Sequence, residues 1–328
     1  MVVSLVDGYS IQLVPTNQED SSDVDATYEP GDEVLEDWLI ARAEVSWQLA
    51  PARATVWETY NRVVSEDGGY LLDNQHVEAG RRLEALSALF DPTTYRHFDH
   101  LGVARGWRVW EVGAGGTSVP RWLARRVGAQ GRVVASDIDT SWLELDSSRS
   151  YEILRHDVSA EPAPDGAFDL IHARLVLVHL PERDRVIASL IESLKPRGWL
   201  LLEEADPELQ PLVCPDDWGD DQHLANTLKM GFRRLLSERG ADLSFGRRTP
   251  RMLREAGLVD VESDAYFPMG GAACDELERA TVEQIRQPLV ERGLASGEEI
   301  ERHLANVNAH RLDLATSPMI SAWGRRAR

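Results

Sequence analysis

The feature that most constrains the fold is a glycine-rich turn between a predicted strand and a predicted helix. The stretch reads VWEVGAGGTSVPRWLA over residues 109–124, with glycine at 113, 115 and 116. Glycine has no Cβ, so the chain can turn sharply there and a ligand can approach the backbone closely. Pro120 suits the first turn of the helix that follows, and the free N–H groups of a helix start attract polar or anionic ligand groups. The turn therefore predicts a cofactor cradle at the carboxyl end of a strand.

Short apolar runs alternate with helical patterns around this turn. The runs are WRVWEVG, GRVVASDI, YEILRHDV, FDLIHARLV and GWLLLEEA, and helical spacing separates most of them, notably over residues 182–195. This alternation predicts an α/β fold with a doubly wound, Rossmann-like sheet. Ligands bind such sheets beyond the carboxyl ends of the strands, so the residues just after each strand are the candidates for function.

Charge divides the chain unevenly. The net charge is −20, and residues 1–41 carry ten acidic side chains and no basic one. The segment 1–33 is predicted to be mobile, although Asp7-Gly8 between two apolar runs favours a hairpin over residues 2–14.

We expect an N-terminal helical cap over residues 34–100, including helices at about 77–90 and 92–101. An α/β domain over 101–328 follows, with a helical substrate-binding insertion at about 206–256.

Composition also limits partners and location. A chain this acidic repels phosphate backbones, which argues against DNA or bulk RNA as a substrate. The sequence has no apolar run long enough for a membrane span and no signal-peptide pattern, and its two cysteines, Cys214 and Cys274, suit a reducing compartment. A cytoplasmic protein is therefore expected. Only His97 and His100 approach metal-ligand spacing, and they lie ahead of the predicted sheet, so no metal is expected. The sequence leaves the oligomeric state open.

Charged side chains follow each predicted strand. The five strands end near Glu111, Asp137, Asp157, His172 with Arg174, and Glu203 with Glu204 and Asp206. Asp137 lies 22 residues beyond Gly115, where a carboxylate can accept hydrogen bonds from ribose hydroxyls. Capping of the next helix is the alternative role. Nicotinamide-dependent dehydrogenases and S-adenosylmethionine (SAM) methyltransferases both use such a carboxylate. The dehydrogenase pattern G-x-G-x-x-G requires glycine at position 118, where this chain has serine.

Ordered motifs favour the second class. EVGAGG, VVASDID, RHDV and the KPRG turn of residues 195–198 follow one another along the chain. In this order they resemble the motifs of class I SAM-dependent methyltransferases of small molecules, in particular those of actinobacterial type. The resemblance covers about residues 70–328 and implies a seven-stranded sheet whose last strand, PMISAWGRR, is antiparallel. The cofactor-binding residues that it implies are Glu111, Gly113, Gly115, Thr117, Asp137, Ile138, Asp157, Val158, Arg174 and Tyr70.

The resemblance implies methyl transfer from SAM to a small molecule. O-methylation in secondary metabolism is the favoured interpretation, with N- or C-methylation as possibilities. An N-P-P-Y-like stretch, typical of enzymes that methylate amino groups of DNA bases or glutamine, is absent after the fourth strand. No cysteine near that strand offers the nucleophile of cytosine C5 enzymes. The alternatives are a non-catalytic SAM-fold binding protein and a nicotinamide-dependent oxidoreductase.

A general base accelerates transfer when the acceptor atom holds a proton. His172, at the end of the fourth strand, is the first candidate, and His179 is the second, with a core position as its alternative. Glu204 and Asp206 are weaker candidates because carboxylates are poor bases for phenols. Enzymes of this kind also work without a base. Three aromatic side chains are expected either to line an apolar acceptor pocket or to belong to the core: Trp218, Phe232 and Phe245.

Overall fold

The computed structural model of the protein describes residues 2–6, 10–14, 27–28, 71–72, 74 and 76–328. These residues belong to two compact units, Met1–Tyr70 and Leu71–Arg328. In the first unit β1 (Val2–Val6) pairs antiparallel with β2 (Ser10–Val14), and β3 (Thr27–Tyr28) pairs with β2. The hairpin predicted over residues 2–14 is therefore confirmed. The helices predicted over residues 34–64 lie outside the described residues.

The second unit is organised around a seven-stranded sheet. Its strands are β4 (Arg108–Val112), β5 (Arg132–Asp137), β6 (Glu152–Arg155), β7 (Phe168–Arg174), β8 (Leu194–Ala205), β9 (Val259–Tyr266) and β10 (Met319–Arg325). The spatial order is β6-β5-β4-β7-β8-β10-β9. The first five strands pair in parallel, and β10 is antiparallel to both β8 and β9. The predicted Rossmann-like sheet with an antiparallel last strand is confirmed.

Nine helices of the described residues surround the sheet. They are α1 (Ala79–Leu101), α2 (Ser118–Val127), α3 (Ser141–Glu144), α4 (Arg183–Glu192), α5 (Asp220–Glu238), α6 (Thr249–Glu255), α7 (Ala272–Gln284), α8 (Arg286–Glu291) and α9 (Gly297–Asn308). Helix α5 packs on α8 and α9, α7 packs on α1, and α6 packs on β9 and β10. The segment predicted as one insertion, 206–256, thus contributes to two separate layers. None of the helices in the described part is both long and apolar enough to cross a bilayer.

Helix α1 differs from its prediction, because the sequence indicated two helices that meet near Pro92. The structure shows one helix of 23 residues that runs through this proline. Proline removes one backbone N–H donor from the helix, which normally weakens or kinks it. Here both halves bury side chains, since Phe90 before the proline and Phe98 after it each pack in an apolar cluster. Tertiary packing therefore outweighs the local preference of Pro92.

The strand alternation places different side chains on the two faces of the sheet. On one face Trp110, Val112, Ile171 and Ala173 pack with side chains of α4 and α6. On the other face Val109, Leu170 and Leu201 pack with side chains of α1 and α2. Because side chains alternate along a strand, Glu111 and His172 point to the same face as Val109 and Leu170. This second face, beneath α1, carries the polar side chains described next.

Candidate cofactor-binding site

The glycine turn after β4 has the backbone geometry that the sequence predicts. Gly113 and Gly115 have φ values of 61° and 59°, in the left-handed region that side chains other than glycine rarely adopt. A Cβ at Gly113 would lie 2.3 Å from a methyl carbon of Val176, and a Cβ at Gly115 would lie 3.0 Å from Leu83. Both conformation and space therefore require these glycines, and the turn remains open to a ligand at its backbone.

Asp137 connects the end of β5 to this turn. Its carboxylate accepts a hydrogen bond from the Gly115 backbone N–H at 2.8 Å and another from the Asp139 N–H at 3.0 Å. Burial raises the pKa of Asp137, and these amide donors oppose the rise. The short helix α3 begins at Ser141, whose N–H bonds to Asp139 instead. Asp137 therefore bonds to the glycine turn, and Asp139 closes the short turn that leads into α3.

Both apolar and polar side chains follow the carboxyl ends of β5 and β6. Ile138 is 54% exposed although it is a large apolar residue. Asp157, after β6, directs Oδ1 to the N–H and hydroxyl of Ser159 at 2.8 and 2.6 Å, which closes a local turn. Val158 packs against the core below. The edge therefore offers an apolar surface at Ile138 next to the carboxylate of Asp137.

Three further residues implied by the resemblance have different surroundings. Thr117 precedes α2 at its N-cap position and makes no side-chain capping bond. Arg174 donates to Asp91 at 2.9 Å and to Thr94 at 3.0 Å, so its guanidinium joins the end of β7 to α1. Tyr70 lies outside the described residues. Their assignment to the cofactor remains a prediction.

Glu111 and His172 form part of a buried polar cluster, which we define as Glu111, His172, Glu203, His97 and Ser321. The His172 Nδ1 lies 2.7 Å from Glu111, and its Nε2 lies 3.2 Å from Glu203. Glu203 also contacts His97 Nδ1 at 2.8 Å and the Ser321 hydroxyl at 3.0 Å, and it accepts from the Thr94 hydroxyl. The cluster reaches the β9 edge because His97 Nε2 lies 3.0 Å from Asp264.

The expectation that His172 is the general base is not met by this geometry. Its side chain is fully buried and both ring nitrogens face carboxylates, so no ring nitrogen is directed to a substrate. Burial by itself lowers the pKa of His172, but Glu111 and Glu203 outweigh burial and raise it to about 9. A histidine that holds its proton at neutral pH between two carboxylates is a poor proton acceptor. His172 instead orients Glu111 beneath the glycine turn.

The second candidate, His179, lies on a short 3₁₀ turn after β7 (Leu177–His179). The buried carboxylate of Glu204 accepts from the backbone N–H groups of Leu177 and Val178 at 2.8 and 3.2 Å and fixes this turn. Burial, Arg82 and Arg183 lower the pKa of His179 to about 4, in that order of importance. His179 is therefore uncharged at neutral pH.

The two weaker base candidates, Glu204 and Asp206, already accept hydrogen bonds from other residues of the protein. Burial raises the pKa of Glu204 to about 7, but its oxygens serve the 3₁₀ turn. Asp206 is fully buried and accepts two hydrogen bonds from the Arg247 guanidinium, at 2.8 and 2.5 Å.

The three aromatic residues proposed for an acceptor pocket lie in different surroundings in the structure. Trp218 is 80% exposed, Phe245 is completely buried in the core, and Phe232 is half-buried on α5.

The sequence did not indicate a set of contacts at the start of α1, near the glycine turn. Gly80 of α1 lies against Trp142, whose indole N–H donates to the backbone carbonyl of Asn74 at 2.8 Å. Arg82, one turn into α1, donates to Gln284 of α7 at 2.9 Å. The signal available in the sequence was the stretch YLLDN of residues 70–74 and the start of the following helix, but the partner of Arg82 is 202 residues away. Among the described residues, no group of histidine, cysteine and acidic side chains is arranged to hold a metal ion.

Comparison with known proteins agrees with this geometry. A methyltransferase-domain family model matches residues 110–202. The chain is 29% identical over 196 residues to the ubiquinone/menaquinone biosynthesis C-methyltransferase UbiE of Erwinia tasmaniensis, covering 52% of this chain and 78% of that protein. It is 33% identical over 123 residues to UbiE of Serratia proteamaculans, covering 35% of this chain and about half, 49%, of that relative.

A solved structure shares the fold. Haemonchus contortus phosphoethanolamine N-methyltransferase 2 in complex with S-adenosyl-L-methionine aligns with a TM-score of 0.51 and 16% identity, over 80% of this chain and 60% of that one. The sheet order, the glycine turn and the matched domain define a class I α/β methyltransferase fold. The chain thus carries a methyltransferase domain over residues 110–202 and is similar to SAM-dependent methyltransferases, with SAM as the cofactor. The nicotinamide alternative is thereby set aside.

Proposed function

We propose that the protein transfers the methyl group of SAM to a small-molecule acceptor, and that oxygen is the favoured acceptor atom. The observation that carries the proposal is the Asp137 carboxylate bound to the Gly115 amide at 2.8 Å, beside the exposed side chain of Ile138. A carboxylate and an apolar surface at the carboxyl edge of a parallel sheet suit the ribose and the adenine of a nucleoside. N- and C-methylation are the alternatives for the acceptor atom.

The residues of the edge suit SAM in their chemistry. The positive φ values of Gly113 and Gly115 form a sharp turn at which a ligand can approach the backbone. Asp137 would accept from the ribose hydroxyls, Ile138 would cover the adenine, and Asp157 would meet the adenine amino group through Oδ2. Glu111 lies beneath the turn, where its negative charge suits the ammonium group of the methionine moiety. The bound cofactor supplies an activated sulfonium methyl group.

The chain itself must align the acceptor and accept a proton from it. Alignment of reacting groups supplies up to about 7–11 kcal/mol of a barrier. With His172 held between carboxylates, His179 is the base candidate that we retain, and its pKa of about 4 leaves it uncharged at neutral pH but makes it as weak a base as a carboxylate. We infer that alignment supplies most of the acceleration and that His179 adds a smaller contribution. His179→Gln should therefore lower kcat and leave the affinity for S-adenosylhomocysteine unchanged.

The surroundings of the site support a small, uncharged or weakly charged acceptor. The helices α5, α7, α8 and α9 share an apolar cluster that includes Leu228, Leu289 and Leu304. We infer that the acceptor enters between these helices and the sheet edge.

The net charge of −20 argues against nucleic acid as a substrate. We further propose a role in secondary metabolism and a cytoplasmic location, which the two buried free cysteines, Cys214 and Cys274, support.

The test uses SAM labelled with ¹³C in its methyl group. The full chain is incubated with a panel of small molecules that carry hydroxyl, amine or nucleophilic carbon groups, and products are examined by NMR. The chemical shift of the transferred carbon identifies the acceptor atom, and attachment to oxygen is the expected result. Transfer to nitrogen or carbon overturns the oxygen preference alone. Binding of S-adenosylhomocysteine without transfer to any acceptor of the panel favours the non-catalytic alternative.

A further inference from the structure

Arg82 is a buried cation with only neutral partners in the described part of the chain. Its residue is 4% exposed, and it lies in the second turn of α1. Its Nε donates to the side-chain oxygen of Gln284 at 2.9 Å, and a terminal nitrogen lies 3.4 Å from the side-chain oxygen of Asn74. Among the described residues, no carboxylate forms an ion pair with it. A buried charge without an opposite charge costs free energy, which is normally recovered by a charged partner.

Arg174 provides an internal comparison. It is also largely buried and also contacts α1, but its guanidinium pairs with Asp91 at 2.9 Å and with the Thr94 hydroxyl at 3.0 Å. Among the described residues, one buried arginine of this layer therefore has a carboxylate partner and the other has two amide oxygens. Amide oxygens orient the Arg82 guanidinium without neutralising it. Its remaining N–H groups are left for an anionic ligand.

Arg82 lies on the part of α1 that contacts the glycine turn. Two residues that flank it on α1 touch the cofactor edge, since Gly80 lies against Trp142 and Leu83 lies against Gly115. On the other side Arg82 acts electrostatically on His179 at the end of β7. The guanidinium is thus placed beside the glycine turn and near the base candidate. The start of α1 adds a partial positive charge within about one turn of it.

We propose that Arg82 binds the carboxylate of the SAM methionine moiety, with Gln284 and Asn74 as positioning residues. This inference rests on the proposed function, because it assigns a contact within the same cofactor site. Guanidinium and carboxylate form paired, charge-assisted hydrogen bonds, and the planar group matches the carboxylate geometry. Glu111, beneath the turn, then attracts the ammonium group, so the zwitterionic end of the cofactor meets one charge of each sign. An acceptor carboxylate is the competing source, and the experiment separates the two.

The experiment measures ligand binding to the full chain by isothermal titration calorimetry. The ligands are S-adenosylhomocysteine, which has the carboxylate, and 5′-methylthioadenosine, which lacks the amino-acid end. Arg82→Gln should weaken S-adenosylhomocysteine by about tenfold to a hundredfold and leave 5′-methylthioadenosine within about twofold. Arg82→Lys, which keeps the charge, should recover part of the loss. The matched control is Arg81→Gln, because Arg81 is the neighbouring residue and its side chain is 58% exposed.

Three outcomes overturn the proposal. Equal weakening of both ligands by Arg82→Gln shows that the arginine only supports the fold. Unchanged affinity for S-adenosylhomocysteine shows that the carboxylate at Arg82 belongs to the acceptor or to no ligand. A loss in Arg81→Gln as large as in Arg82→Gln shows a general effect of charge. Failure of the wild-type chain to bind either nucleoside is a separate result, since it contradicts the proposed function before any variant is compared.

Discussion

The two faces of the seven-stranded sheet are formed by the same strands and are filled by different chemistry. Beneath α4 and α6 the face consists mainly of apolar side chains such as Ile171 and Leu202, with the Glu204 carboxylate bound to backbone N–H groups at its end. Beneath α1 and α2 apolar side chains surround the polar cluster, in which Glu203 alone contacts His97, His172 and Ser321. The apolar face is stabilised by many small, separable contributions of burial. The polar face depends on each member having its partner, because an unpaired buried charge is costly.

The difference between the two faces also bears on cofactor binding. The polar face includes Glu111, two residues before Gly113, and the neighbouring strand ends at Asp137, which accepts from the Gly115 N–H. Residues of the polar cluster therefore connect fold stability to the position of a carboxylate that we propose for the cofactor site. The apolar face has no such contact with the turn through Ile171 or Leu202. Substitutions on the two faces should accordingly separate stability from cofactor binding.

Removal of Glu203 should have the largest effect. Glu203→Ala leaves His172, His97 and the Ser321 hydroxyl without their shared acceptor, and loss of one partner of a buried ion pair costs about 3–5 kcal/mol of unfolding free energy. Urea-induced unfolding measures this loss. Glu203→Gln, which keeps an acceptor oxygen, should lose less. A loss below about 1 kcal/mol in Glu203→Ala would show that the polar face tolerates deletions as the apolar face does.

Stability should also depend on pH through His172. Its folded-state pKa, about 9, exceeds the ordinary value of 6.5, because Glu111 and Glu203 outweigh the opposing effect of burial. The stabilisation from the protonated ring is complete below pH 6.5 and is lost as pH rises through about 9. The slope between these values should reach up to about 1.4 kcal/mol per pH unit. Unfolding measured from pH 6 to 10 checks this, and equal slopes in wild type and His172→Gln contradict it.

Asp137 should affect cofactor binding more than stability. Charge-assisted hydrogen bonds are worth about 1.5–3 kcal/mol, so Asp137→Ala should weaken S-adenosylhomocysteine by about one to two decades. Asp137→Asn should lose less because one acceptor oxygen remains. Calorimetry with both variants gives the affinities, and their melting temperatures report stability. If alanine lowers the melting temperature and leaves the affinity unchanged, Asp137 supports the turn through Gly115 and has no part in ribose binding.

The smallest effect is expected on the apolar face. Ile171→Val removes one buried methylene group and should cost about 0.5–1.5 kcal/mol of unfolding free energy. It should leave both the pH dependence of stability and the affinity for S-adenosylhomocysteine unchanged. Urea unfolding at two pH values, together with calorimetry, tests all three statements. A changed affinity would show that this face also transmits strain to the glycine turn.

The parts of the structure that were predicted from the sequence are those set by neighbouring residues. Gly113 and Gly115 were predicted as an open turn because glycine alone tolerates the positive φ values that such a turn needs, and the structure shows them. The sheet followed from the alternation of apolar runs and helical spacing. Asp137 was placed at the turn from its distance along the chain, and its hydrogen bond to Gly115 agrees. Its role toward ribose stays a prediction.

What the sequence did not reveal depends on contacts between distant residues. His172 was expected to be a base because it follows a strand, but the pattern gave no sign that Glu111 and Glu203 enclose it from two neighbouring strands. The break expected at Pro92 was wrong, since packing on both sides carries the helix through it. Arg82 was missed for the same reason, because neither its burial nor its contact with Gln284 can be read from nearby residues.

The most direct test of the account is calorimetric titration of the wild-type chain with S-adenosylhomocysteine and, separately, with NADH. The account predicts saturable binding of S-adenosylhomocysteine and none of NADH. It also predicts that the same ligand at about 100 times its dissociation constant stabilises the fold by about 2.7 kcal/mol. Binding of NADH together with no binding of S-adenosylhomocysteine or SAM at millimolar concentration would contradict the assignment of the glycine turn and Asp137 to SAM.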